Sequence, residues 1–221
     1  VAGSGTLIYR QWLAGSLPPT TTTATTTPAR ASLVLADHRT DIDTTDQPVP
    51  ALLGKIRAAR AENQVAETIA EVRFLRNGTP LTFRVWQTLL GLSFPDDFLR
   101  LVEPNFMFGF YHGATDSDPF IILKTKSAIA SYSQLLAAER NLPAIWNTLL
   151  GQSPAPIGTT GAIIATANFR DLVIQNLDAR LLDGVGVTNP VLYGFLDGNT
   201  IIITQTRATF LEVLNRFRAA R

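Results

Sequence analysis

The sequence predicts an α+β fold in which helices cover one face of a largely antiparallel sheet. The first observation is an internal repeat: an aromatic-Gly-Phe run, a turn ending in Gly and a β-branched run occur at 108–125 and again at 193–205. Each copy precedes a segment with apolar residues at helical spacing, which predicts a repeated hairpin-helix unit. The second observation is that hydrophobic residues make up 46% of the 221-residue chain, an ordinary value for a folded domain.

Residues 1–17 predict a partial membrane anchor. The segment is small and apolar, and Tyr9, Arg10 and Trp12 are residue types found at membrane interfaces. It is too short and too polar for a full span, so it is interpreted as the last turns of a transmembrane helix that begins before residue 1. The alternative is an amphipathic segment packed on the protein or on a neighbour.

Residues 18–31 predict a tether between this anchor and the domain. The tract contains seven threonines between prolines and has no apolar face to bury. Burial therefore cannot offset the entropy of ordering it, and Thr/Pro tracts of this kind are extended spacers.

Residues 32–221 are predicted to form the domain, beginning with a strand at Leu33–Leu35. A helix follows over Pro48–Asn63, with Asp46 as its cap and with Leu52, Ile56 and Ala59 on its inner face.

Val65–Arg76 predicts a half-buried strand, because Ala70, Val72 and Phe74 alternate with Glu67, Glu71 and Arg73. Asn77-Gly78 predicts a tight turn. The next residues fit either a hairpin partner or a helix capped by Thr79, and the helix is preferred. A short helix is predicted from Asp96 to Glu103.

The remaining elements are predicted from hairpin and helix patterns in the same way. They are hairpins at 105–125 and 191–205, strands within 162–183, and helices at Ser127–Arg140, Pro143–Leu150 and Arg207–Arg221.

Two glycines and two β-branched runs give a sharper prediction. Gly109 and Gly194 are expected at matching strand positions where an aromatic side chain crosses close to the backbone. Ile121–Leu123 and Ile201–Ile203 are expected to be central, nearly fully buried strands.

Composition excludes several function classes. Nineteen basic and eighteen acidic residues leave a net charge of +1, which argues against nucleic acid as a partner. The chain has no cysteine, so disulfides, thiolate nucleophiles and most structural zinc sites are excluded. His38 and His112 are far apart in the sequence, and no catalytic motif is present. We therefore predict no catalytic, cofactor or metal residues.

The acidic segment 37–46 is the best candidate for an ion site. It contains four aspartates around His38, and oxygen-rich clusters suit Ca²⁺ or Mg²⁺. The favoured interpretation is a set of helix-capping turns. The loop 116–118 is interpreted as a solvated hairpin tip, and His112 as a structural residue at the end of a strand.

The strand 106–111 has two faces, with Phe106, Phe108 and Phe110 on one. The other face carries Met107, Gly109 and Tyr111, and it either receives a partner or packs in the core. Core packing for both faces is preferred.

Several segments resemble proteins of ultra-small candidate-phyla bacteria that have no characterised activity. They are FMFGFYHGATDSDPFIILKT at 106–125, LLAAERNLPAIWNTLLG at 135–151, FRDLVIQNLDARLLDG at 169–184 and VLYGFLDGNTIIIT at 191–204. The resemblance covers roughly residues 32–221. It implies an extracytoplasmic domain behind a transmembrane helix and a Pro/Thr-rich tether. The chain departs from that pattern in its anchor, which is only partial.

These observations predict a non-enzymatic component of the cell envelope, held at the membrane or cell surface by its N-terminal segment. Its expected partners are other envelope proteins or itself. The alternative is an extracytoplasmic ligand-binding or hydrolytic domain that uses the acidic segment 37–46 or the loops 113–118 and 184–189.

Overall fold

A nine-stranded sheet is the centre of the computed structural model, which describes residues 32–62, 64–151, 168–183 and 189–221. The strands are β1 (His38–Asp43), β2 (Thr68–Arg76), β3 (Thr79–Pro80), β4 (Val102–His112), β5 (Ser117–Thr125), β6 (Arg170–Ile174), β7 (Leu177–Leu182), β8 (Val191–Phe195) and β9 (Thr200–Thr204). The helices are α1 (Val49–Ala61), α2 (Phe83–Leu89), α3 (Asp96–Leu101), α4 (Ala128–Ala138), α5 (Leu142–Leu150) and α6 (Arg207–Ala219).

The strand order across the sheet is β1-β2-β4-β5-β9-β8-β7-β6, and β3 extends the end of β2. Only β1 and β2 pair in parallel; all the other described pairs are antiparallel. Helix α1 provides the crossover that a parallel pair requires. The predicted α+β class with a largely antiparallel sheet is therefore confirmed.

The sheet separates two apolar layers. Helices α1 to α5 pack on one face, here called the five-helix face, which also carries Phe108, Ile121 and Tyr193. Helix α6 packs on the other face, here called the α6 face, together with Leu33, Val34 and Ala36. The prediction that the helices cover one face only is wrong, because the amphipathic α6 buries Phe210, Leu214 and Phe217 on the opposite side.

The two β-branched runs form the middle of the sheet, as predicted. Ile122 on β5 lies directly opposite Ile202 on β9, and every residue of both runs is at most 2% exposed. Continuous apolar runs suit strands that are covered on both faces.

The repeated hairpin-helix unit is not confirmed. Both hairpins are followed by a helix, but α4 lies on the five-helix face and α6 on the other. Ile121 and Ile201 share a face, yet the N-cap Ser127 comes six residues after the first and the N-cap Thr206 five residues after the second. Because successive residues of a strand alternate between faces, this one-residue difference turns the two helices to opposite sides.

The two glycines differ in register, although each accommodates an aromatic ring as predicted. Gly109 lies opposite Phe120, whereas Gly194 lies opposite Ile202. A Cβ at position 109 would be 2.8 Å from the Phe120 ring, and one at position 194 would be 3.1 Å from the Phe210 ring.

Strand β1 begins later than predicted. Leu33–Leu35 are not a strand, and the strand runs from His38 to Asp43, where every residue except the buried Ile42 is polar. At this edge of the sheet, the charges of Arg39 and Asp41 are neutralised by Glu71 and Arg73 of β2. Cross-strand ion pairs therefore replace the apolar residues that the prediction relied on.

Helix starts were predicted with mixed success. Ser127 caps α4 as predicted, since its Oγ accepts from the backbone N of Ala130. Asp46 does not cap α1: it occupies a turn with φ 53°, and the N-cap is Pro48. After the Asn77-Gly78 turn, the chain first forms the two-residue hairpin strand β3 and then the helix α2, so each of the two alternatives is partly correct. The cap of α2 is Thr82, not Thr79.

Candidate interaction surface

The acidic segment 37–46 does not form a joint site. Asp37 accepts from the backbone N of Ile69 at 2.8 Å and pairs with Arg216 at 2.9 Å. Partial burial raises the pKa of Asp37, but the hydrogen bonds from Arg216 and Ile69 outweigh it and leave the pKa below the ordinary value. Asp41 holds Arg73 through both oxygens. These carboxylates are structural contacts.

Asp43 is used locally, because its Oδ1 accepts from the backbone N and hydroxyl of Thr45 at 3.0 and 2.7 Å. Asp46 is exposed. Across the described residues, no three His, Cys, Asp or Glu side chains come close enough to hold a metal ion.

The hairpin loop is likewise tied to a helix. Asp118 lies beside the N-terminus of α6, where its Oδ2 accepts from the hydroxyls of Thr206 at 2.6 Å and Thr209 at 3.1 Å. A carboxylate at this position interacts favourably with the positive end of the helix dipole. Residues 184–188 of the other proposed loop lie outside the described residues, so no joint site of the two loops is observed.

A small cavity opens where β4 diverges from β2. Its volume of about 20 Å³ corresponds to about one water molecule. It is lined by Glu71, Val72, Arg73, Phe74, Pro80, Leu81, Asn105 and Phe106. Glu71, predicted on the solvent side, is only 5% exposed because Arg39 and Ser32 donate to its carboxylate at 2.8 and 2.5 Å. A cavity of this size does not hold an organic substrate.

The second face of β4 packs in the core. Met107 is 2% exposed, Tyr111 is half-buried on the α6 face, and the Phe120 ring covers Gly109. The partner groove that was considered for this face is therefore filled by the protein itself.

Helix α4 presents apolar side chains to solvent. It buries Ser131, Leu135 and Ala138 against the five-helix face. Its outer side carries Ile129, Tyr132 and Leu136, which are 87%, 37% and 39% exposed.

Spacings of three and four residues place these three side chains on one side of the helix. The Tyr132 ring is 6.3 Å from that of the half-buried Phe195. We call Ile129, Tyr132, Leu136 and Phe195 the α4 surface.

A polar network fixes the C-terminal end of α4 to the sheet. Glu139 accepts from Tyr193 Oη at 2.7 Å and from Arg180 Nε at 2.5 Å, and Arg180 also pairs with Asp171. Burial, followed by the hydrogen bond to Glu139, raises the pKa of Tyr193 strongly, so the phenol stays neutral. The α4 surface is therefore held on a rigid support.

Sequence reasoning missed this surface, although a signal for it exists. The helix sequence AIASYSQLLAA contains no charged residue and is apolar on more than one side. A helix without a polar face is buried on all sides or contacts a partner.

The predicted membrane segment is not described. Residues 1–17 and the tether 18–31 lie outside the described residues. Among the helices of residues 32–62, 64–151, 168–183 and 189–221, none has the length and apolar character needed to cross a bilayer.

Comparisons with protein-family models, with curated proteins and with solved structures found no match for this chain.

Proposed function

We propose that this chain is a non-enzymatic structural module of the cell envelope, tethered outside the cytoplasm, which self-associates through the α4 surface. The observation that carries the proposal is the exposed apolar side of α4, with Ile129 at 87% exposure. A contiguous exposed apolar patch on a folded domain is typical of a protein contact. The alternative of a ligand site in the acidic segment is less favoured, because Asp37, Asp41 and Asp43 are engaged in structural contacts.

A second copy of the chain fits this surface. Two α4 helices that pack antiparallel about a two-fold axis bring no like charges together, because α4 has no charged side chain. Their dipoles oppose each other favourably. Ser133 and Ala137 are small and exposed on the same side, so the helix axes can approach to about 8–10 Å.

The α4 surface is small, which makes the tether part of the proposal. It offers four side chains, whereas a standard interface uses roughly 20–30 residues per partner. The contact alone is therefore weak in solution. Anchoring copies in one membrane raises their effective concentration. At about 3.1 Å per residue, an extended tether over 18–31 reaches about 40 Å.

Membrane attachment is tested by fractionation of cells that express the full-length gene. We expect the chain in the membrane fraction after a high-salt wash, and release into the soluble fraction when the segment 1–17 is deleted. Recovery of the undeleted protein from the cytosol would contradict the tethered location.

Self-association is tested by cysteine cross-linking, because the chain has no cysteine of its own. The variant Ser133→Cys places a thiol close to the proposed two-fold axis. Under mild oxidation of membranes, we expect it to form a disulfide dimer at least about tenfold faster than Val173→Cys, whose side chain at 62% exposure lies on the edge strand β6 outside the α4 surface. Adding Leu136→Ser to the Ser133→Cys variant is expected to abolish the difference.

Equal cross-linking at positions 133 and 173 would reject the α4 contact. A membrane-bound protein that does not cross-link at position 133 would reject self-association through α4 but keep the tethered location.

A further inference from the structure

His112 is buried without a hydrogen-bond partner. It is 2% exposed, and neither ring nitrogen contacts a donor or acceptor of the protein. It ends β4, where it lies opposite Thr68 of β2 and Ser117 of β5. A buried imidazole that has no acceptor is stable only in its neutral form.

The end of α1 is joined to the strand beside His112. Arg60, in the last turn of α1, donates from Nε to the carbonyl oxygen of Ser117 at 2.8 Å. Ser117 Oγ donates back to the carbonyl oxygen of Arg60 at 3.4 Å. These two hydrogen bonds, here called the α1 latch, hold the helix end against the β4–β5 hairpin.

The groups around His112 oppose a positive charge. Arg60 of α1 and His38 of β1 are the charged and titratable groups that act on it, while Thr68 and Ser117 on the flanking strands are uncharged. Three carboxylates lie on adjoining segments, and none of them accepts a hydrogen bond from the ring: the backbone N of Glu67 donates to the carbonyl oxygen of His112 at 2.6 Å, Asp118 holds α6, and Glu62 accepts from Thr40. Burial first, and then His38 and Arg60, lower the pKa of His112.

We infer that the α1 latch is pH-sensitive and opens locally when His112 takes up a proton. An imidazolium at this position needs water, and water reaches it when the last turn of α1 lifts from the hairpin and the Arg60–Ser117 hydrogen bonds break. The central strands β5 and β9 keep their own pairing during this opening.

The direction of the pH effect follows from linkage. The pKa of His112 is lower in the closed state than in the open or unfolded state, so the open state binds more protons. The latch is fully stable above the ordinary pKa of about 6.5. As the pH falls below that value, the latch weakens, and its equilibrium constant for opening rises by up to about tenfold per pH unit.

The test is hydrogen exchange of the full chain between pH 7.5 and pH 5.0, corrected for intrinsic rates. We expect amides of 56–62 and 112–118 to lose protection about tenfold or more, while amides of 121–123 and 201–203 stay protected. The variant His112→Leu, which is apolar and of similar volume, should lose the response. The matched variant His38→Gln should keep it.

A second measurement does not depend on the fold of a variant. In the wild-type chain, the ring resonances of His112 are titrated by NMR, and His112 should titrate below the ordinary histidine value of about 6.5. Titration of His112 at or above that ordinary value would overturn the inference. So would an acid response that persists in His112→Leu, or one that is uniform along the chain.

Discussion

Replacing Ile202 with alanine is expected to lower the free energy of unfolding by ~2–5 kcal/mol. Ile202 is fully buried in β9, between Ile122 on one neighbouring strand and Gly194 on the other. Because Gly194 has no side chain that can move into the space, the cavity left by the substitution stays largely open. Urea unfolding monitored by circular dichroism measures the loss.

The chain offers a matched control for this substitution. Ile129→Ala removes the same atoms from a side chain that is 87% exposed, so stability should change by less than about 0.5 kcal/mol. Similar losses at positions 129 and 202 would contradict the central position of β9 in the sheet.

Replacing Gly109 with alanine is expected to destabilise the protein by about 1–3 kcal/mol or more. The added Cβ would lie 2.4 Å from the carbonyl oxygen of Ala70 and 2.8 Å from the ring of Phe120. The Ala70 carbonyl belongs to the paired strand β2, so relief of the clash requires that the β2–β4 ladder shifts. The midpoint of thermal unfolding should fall accordingly.

Gly198→Ala is the control, because a Cβ at that position meets no atom within 4 Å. Its stability should stay within about 0.5 kcal/mol of the wild type. If both glycine variants are equally stable, the close approach of β2 and Phe120 to Gly109 is wrong.

Local side-chain patterns predicted the elements in which apolar residues recur regularly on one face. The strand that contains Val72 and Phe74 and the helix that contains Phe210 and Leu214 lie where their spacing placed them. In these segments, the residues that decide the structure are close together in the sequence. The periodicity of one apolar face therefore located them without knowledge of the partner, although β2 also buries Ile69 and Glu71 on its other face.

Long-range partners decided the elements that were mispredicted. β1 is polar, and its charges are balanced by Glu71 and Arg73, more than thirty residues away in the sequence. Glu71 is buried by contacts with Ser32 and Arg39, which are equally far away in the sequence. The apolar pattern of α4 signals contacts on more than one side but does not say which side the sheet covers, so the exposure of Ile129 and Leu136 in particular could not be assigned.

The pairing of Ile122 with Ile202 determines when the central strands can pair while the chain is being synthesised. When β5 leaves the ribosome, the strand that will cover its inner edge has not yet been translated, and everything from α4 to β8 must follow first. Until then, Ile121–Leu123 present an unpaired apolar edge, which is a template for aggregation. In a nascent chain that ends before β9 this edge therefore stays open, and we expect the sheet to become stable only when β9 and α6 have been made.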